Sequence, residues 1–266
     1  MRSLMIFLVL FLSAVSSFAG EIKGDWKFPS DIAVDNGKLY VVDGLNNRIA
    51  IYDLYGGHIS DIKIDSPFGI YVEKGLLYVT SPKGVIYVLD EFGNPEMELQ
   101  IEGRPLDVVK IGNRLFVTNG KTNTVDVYSV DGKLLKKIGG KGTAPGYFVG
   151  PFMMDRSKKL IYVVDTVNAR IQEFEEDGEF VRAFGVFGIE EGNLFRPKGV
   201  AYCNGDLVVT DGITGAVQLF NVYGGFKSIV TKGLYYPTAV ACYDGEVFVL
   251  EPLKNRVSTF RIQGVK

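Results

Sequence analysis

Histidine, cysteine and tryptophan are nearly missing from this chain of 266 residues, which holds one His, two Cys and one Trp. So small a set of nitrogen and sulfur ligands excludes a Cys/His zinc site, a haem-attachment motif and a disulfide-stapled scaffold. A lone histidine also leaves nothing for sites that need two. Excess positive charge is absent as well. With 29 Lys+Arg against 31 Asp+Glu, composition supplies no basic face to displace counterions from phosphates, and nucleic acid is not expected as a partner. Past the N-terminus there is no apolar run long enough to span a bilayer. What is present is core-forming material: 47% of residues are apolar, with 14 Tyr, 18 Phe and 32 Gly, enough to bury a sizeable core.

The N-terminus reads as a leader. Arg2 precedes the apolar run 4–12, and Ser17 and Ala19 place small residues at the −3 and −1 positions of a cleavage site. A signal peptide over 1–19 is expected, with export to the periplasm or beyond and a mature chain of 20–266.

Self-similarity is the dominant signal. Pro29, Pro67, Pro105, Pro151, Pro197 and Pro237 open equivalent segments, and fourteen residues after each stands a polar residue that ends an apolar run: Asp43, Ser81, Asn119, Asp165, Asp211 and Glu251. The runs LYVVD, LYVTS, LFVTN, IYVVD, LVVTD and VFVLE follow tight turns such as Asn36-Gly37 and read as buried strands. Nine residues beyond the terminator come Tyr52, Tyr128, Phe174, Phe220 and Phe260; the second copy reaches Leu89 after eight. Gly-containing turns follow at once, so each copy supplies four short antiparallel strands. Steps of 38, 38, 46, 46 and 40 residues between prolines match propeller blades. The expected fold is therefore all-β, a six-bladed β-propeller of four-stranded blades and one domain. The last copy lacks a fourth strand, and residues 20–28 (GEIKGDWKF) are expected to supply it, leaving no open edge.

The segments FGVFGIEEGNLFRPKGVAY (184–202) and IGGKGTAPGYFVGPFMMD (138–155) share their Gly, Phe and Pro order. DGLNNRIAIY (43–52), DTVNARIQEF (165–174) and EPLKNRVSTF (251–260) share an acid, an Asn-x-Arg and an aromatic. Together they resemble NHL repeats over essentially the whole mature chain. Ser81 and Asn119 depart from that pattern at the acid, and Thr124 and Ala216 at the Arg. The resemblance implies a six-bladed propeller whose relatives are mostly interaction domains, with lyase-like and lactonase-like members; fold alone does not choose among them.

Candidate sites are few. Asp43, Asp165 and Glu251, five residues before Arg48, Arg170 and Arg256, read as ion pairs that fix the turn between second and third strands. Asp31, Asp107 and Asp155 lie near the channel and are weak candidates for a hard cation, which takes six to eight oxygens. His58 falls in the hairpin between third and fourth strands, away from the face expected to carry function. Cys203 and Cys242 sit one register apart, on opposite sheet faces, which favours two small buried residues over a bridge. Asn119-Gly120-Lys121-Thr122 lacks the first glycine of a phosphate loop. The long connections before Pro151 and Pro197 carry Tyr147, Phe187, Glu190, Glu191 and Asn193. With Trp26 from the closing strand, they are expected to form an aromatic and acidic rim on one side of the channel mouth, while Phe148 and Phe195 pack between blades. The function this favours is a monomeric, exported, non-catalytic module that binds a protein or envelope ligand and needs no cofactor. The alternative is a metal-dependent hydrolase or lyase using the three aspartates.

Overall fold

The computed structural model describes residues 16–262, with side chains from residue 19 onward. Each apolar run becomes a strand whose residues are buried on both sheet faces, since neighbouring blades cover both; Leu39, Val41 and Val42, for example, are all inaccessible to solvent. Six four-stranded antiparallel sheets result, the six blades of a β-propeller. Their innermost strands are Pro29–Asp35, Gly69–Glu73, Pro105–Ile111, Pro151–Arg156, Pro197–Cys203 and Val240–Tyr243. In blades two and six the first strand starts two and three residues after the proline; in the other four it starts at the proline. No helix among the described residues is long and apolar enough to cross a membrane.

Six hydrophobic clusters hold the ring, one at each junction between neighbouring blades. Threonines at the ends of second strands reach across two of the gaps. Thr80 donates to the Leu106 carbonyl at 2.7 Å and Thr210 to the Thr238 carbonyl at 2.5 Å.

The N-terminal strand closes the last blade, as its missing fourth strand requires. That strand is Ser16–Lys23, pairing with Arg256–Ile262, and so begins upstream of the expected cleavage point and stops before 28. Residues 1–15 of the expected leader lie outside the described residues. A cut after Ala19 leaves Gly20, Glu21, Ile22 and Lys23 paired with Thr259, Ser258, Val257 and Arg256. Ile22 is buried, so the shortened strand still carries an apolar anchor.

Cys203 and Cys242 correct the sequence expectation: they form a disulfide, with Cα atoms 5.5 Å apart. Opposite sheet faces are what a bridge between neighbouring blades needs, since the face of one blade looks onto the reverse face of the next. The bond ties the first strands of blades five and six. Replacing both cysteines with serine should lower the unfolding free energy by roughly 2–4 kcal/mol, the range for loops of this size, read from urea denaturation with and without reductant.

Candidate binding face at the channel mouth

The polar residue that ends each second strand organises one face of the ring. Asp43, Asn119, Asp165, Asp211 and Glu251 are fully buried. Each accepts the backbone N–H of a residue just ahead of a first strand: Lys27 (2.7 Å), Arg104 (3.1 Å), Val149 (2.8 Å), Phe195 (2.6 Å) and Tyr235 (2.7 Å). The third strand answers with a cation in three blades, where Arg48, Arg170 and Arg256 bond the same acids through Nε at 2.7, 2.8 and 2.6 Å. In blade three the acid has moved: Asn119 donates to Asp126, which also takes the Thr124 hydroxyl. Blade five dispenses with the arginine, because Asp211 is filled by four backbone N–H groups, those of Phe195, Arg196, Ile213 and Thr214.

These clamps hold the residues flanking each proline over the mouth of the channel. A hollow of about 280 Å³ is lined there by Phe28, Ser30, Phe68, Arg104, Phe152, Lys198, Tyr236 and Leu253, among others. Two of its aromatics sit on strained backbone. Phe28 (φ 56°) and Tyr236 (φ 54°) are left-handed, a conformation that costs a bulky side chain roughly 1–2 kcal/mol; blade four uses Gly150 at the equivalent place. Phe28 is nonetheless 61% exposed, so burial does not explain its retention. Lys198 lies with its ammonium 5.0 Å from the Phe152 ring centroid. Burial, and then the charge of Arg196, push it below the usual lysine range.

Among known proteins, residues 101–185 match the DUF5128 family, described as a 6-bladed beta-propeller. Over 134 residues the chain is 33% identical to protein brain tumor of Drosophila melanogaster, a match that takes in 48% of this chain and 13% of that protein. The repeats are NHL-like. The chain spans only a small part of that relative's length. A catalytically inactive form of virginiamycin B lyase from Staphylococcus aureus has a TM-score of 0.68 at 14% identity, covering 90% of this chain and 82% of that one. A structural genomics protein from Bacteroides thetaiotaomicron reaches 0.71 at 15% identity, covering 93% and 76% respectively. Likeness at such identities shows the fold alone.

Within the NHL-like frame the long connections do not stand at the mouth. Gln172 and Gln218 of the third strands bind them, accepting from the Gly146 and Gly192 N–H groups and donating to the Tyr147 and Asn193 carbonyls. Fully buried Phe148 and Leu194 wedge each loop between blades, and the extra residues are carried outward. Leu194 thus takes the place expected of Phe195, which stacks instead on Phe187 at 4.9 Å. Tyr147, Phe187, Glu190 and Glu191 are exposed on that outer rim, and Glu191 is paired with Lys232 at 2.7 Å. Asn193 is half-buried; its carbonyl accepts from Gln218 and its N–H donates to the Glu190 carbonyl. Trp26 is not a rim residue at all: only 1% exposed, it packs in the core and donates to the Tyr52 hydroxyl.

The channel aspartates also have another duty. Each bridges to the backbone of the next blade: Asp31 to Ile70 N–H (2.8 Å), Asp107 to Met154 (2.6 Å) and Asp155 to Tyr202 (2.7 Å). Asp31 and Asp107 take a second N–H from the residue that follows each. No group of three acidic, histidine or cysteine side chains that could hold a metal forms among the described residues, and the three channel aspartates direct carboxylate oxygens to backbone N–H groups. His58 lies at the outer strand of blade one, 3.0 Å from Asp61. The mouth residues Phe28, Arg104, Lys198 and Tyr236 were missed from sequence, although an aromatic before proline at a glycine position was a readable signal.

Two predictions follow from this chemistry. Asp165→Ala leaves the Val149 N–H without its acceptor while Arg170 keeps the Thr143, Ala144 and Tyr147 carbonyls, and should cost roughly 1–3 kcal/mol in chemical denaturation, as for an unsatisfied buried donor. Burial raises Asp31 to about 7 and Asp155 to about 6 from an ordinary 3.8, and burial with the Asp31 charge raises Asp107 well above it. The folded chain therefore holds protons that the unfolded chain has released, and their contribution to stability, complete below pH ~4, is lost as pH rises through ~7. Carboxyl carbon NMR titration should show Asp31 and Asp155 midpoints near those values, with unfolding midpoints falling across the same window.

Proposed function

We propose that this protein is an exported, non-catalytic propeller that binds a protein or envelope ligand at the mouth of its channel. The observation that carries the reading is the pair Phe28 and Tyr236. Each is held in the left-handed conformation that glycine would occupy without cost, and each lines a hollow with Arg104 and Lys198. Backbone strain retained beside an open hollow points to use of the side chain, most directly at Phe28, where exposure leaves the strain without return from burial; Tyr236 is half-buried.

Supporting export, the chain carries a leader-like N-terminus and a disulfide, a bond that persists in oxidising compartments. An enzymatic reading finds less support. The mouth hollow has no histidine, carboxylate or cysteine in its lining, and the channel aspartates are occupied with backbone N–H groups. The lyase of similar fold lends its architecture to the comparison and nothing about chemistry.

Phe28→Gly with Tyr236→Gly should abolish capture of the partner from an envelope fraction by the immobilised protein. The thermal midpoint should hold, because relief of the left-handed strain offsets the added glycine entropy to within about 1 kcal/mol. Tyr147→Ala with Phe187→Ala, on the outer rim, should leave capture intact. Capture that survives the first pair and fails in the second would move the site to the rim.

A further inference from the structure

The mouth hollow is the middle of a longer feature. On one side it shares Phe28, Ser30 and Phe68 with a hollow of about 510 Å³ that runs to Leu45 and Lys83 on the turns of blades one and two. On the other it shares Lys198 and Tyr236 with one of about 320 Å³ that reaches Val167, Arg196 and Ile213 on blades four and five. Three hollows in a row, joined by common walls, make a trough across the face of the ring.

Its chemistry is one-sided. Exposed apolar side chains recur on the turns along it: Leu45 is 72% exposed, Val167 50%, Ile213 58% and Leu253 55%. Four cations line it, Lys83, Arg104, Arg196 and Lys198, and no carboxylate does. Lys83 is paired with Asp65, but the side chains of Arg104 and Arg196 have no hydrogen-bonding or ionic partner among the described residues. The acids that would balance them, Asp211 and Asn119's neighbour Asp126, are buried beneath the turns and already bonded.

From this trough we infer that the ligand is an extended acidic peptide segment of a partner protein, apolar side chains seated in the successive hollows and carboxylates against Arg104, Arg196 and Lys198. The inference rests on the proposed binding role of the mouth and names its ligand class. Separate hollows fit the spaced side chains of an extended chain better than one compact ligand, and the unpaired cations select its charge. A nucleic acid fits less well, because only four cations line the trough and one of them, Lys83, is already paired with Asp65, too few to release many phosphate counterions.

The test is fluorescence anisotropy of the full chain without its leader against three labelled probes. These are a nine-residue peptide alternating Glu with Phe and Leu, the same peptide with Lys for Glu, and a twelve-nucleotide oligouridine. The acidic peptide should bind saturably and the lysine peptide should not. Arg104→Glu, at an exposed position that leaves folding untouched, should weaken binding about tenfold, and adding Lys198→Glu should weaken it further; Lys63→Glu, on the outer strand of blade one, should change nothing. Equal binding of both peptides, preference for the lysine peptide, or no peptide binding at all would overturn the inference. So would oligouridine binding that Arg104→Glu abolishes without acidic-peptide binding. In each of those cases, loss of partner capture in the Phe28/Tyr236 glycine variant would still uphold the mouth as the binding site, which separates the two failures.

Discussion

The buried polar residue that ends the second strand in five of the six blades is the interaction on which the rest depends. It lies where three strands and an incoming connection meet, and its oxygens are divided between the backbone of that connection and a side chain of the third strand. A buried carboxylate is tolerable only when its lone pairs are filled, and here the filling groups come from parts of the chain far apart in sequence. Fixing the acid therefore fixes the path by which the chain enters the next blade. That path sets where the residues flanking the proline stand, and those residues are the wall of the mouth. Stability and the geometry of the mouth are thus coupled through one side chain in each of those blades.

The same logic explains how the six copies diverge without loss of fold. Blade three replaces the acid by Asn119 and recovers the charge at Asp126, two residues past the usual arginine position. Blade five gives up the arginine and loads Asp211 with backbone donors. In both, the number of satisfied groups is kept while their identity changes. A ring built on satisfied hydrogen bonds tolerates such exchange, whereas a ring of identical charges would not.

Fold and site differed sharply in how far they could be read. The blades were legible because the proline, the apolar run and its polar end recur at fixed spacing, and every element of that spacing has a local physical meaning. Closure was legible too, since a blade missing one strand demands a partner. The site was not, because its residues occupy the positions that the repeat leaves free. Before the prolines stand Phe28, Ser66, Arg104, Gly150, Arg196 and Tyr236, whose side chains share nothing, although four of them have the same left-handed backbone. Length misled where it was taken as a sign of function: the long connections read as a wall around the mouth, but Gln172, Gln218, Phe148 and Leu194 anchor them outward. Trp26 misled through its rarity, and its indole turned out to be core. The cysteines misled through a geometry drawn for one sheet, where the relevant contact lies between two.

A propeller whose blades were identical would present six equal residues to its axis and could discriminate only ligands of matching symmetry. Here the residues beside the prolines break that symmetry in a particular way. Aromatics come from blades one, two, four and six, through Phe28, Phe68, Phe152 and Tyr236, while the cations without an ion-pair partner come from blades three and five, through Arg104, Arg196 and Lys198; Lys83 of blade two is paired with Asp65. The two cationic blades flank the one that brings Phe152, so the charge is gathered on one half of the mouth, with Phe28 and Leu45 opposite. An acidic ligand laid across the trough would meet unpaired charge only at blades three and five, while apolar contacts run its whole length, from Leu45 to Ile213. The repeat supplies rigidity, and the positions it leaves unconstrained give the mouth of a symmetric fold its asymmetry.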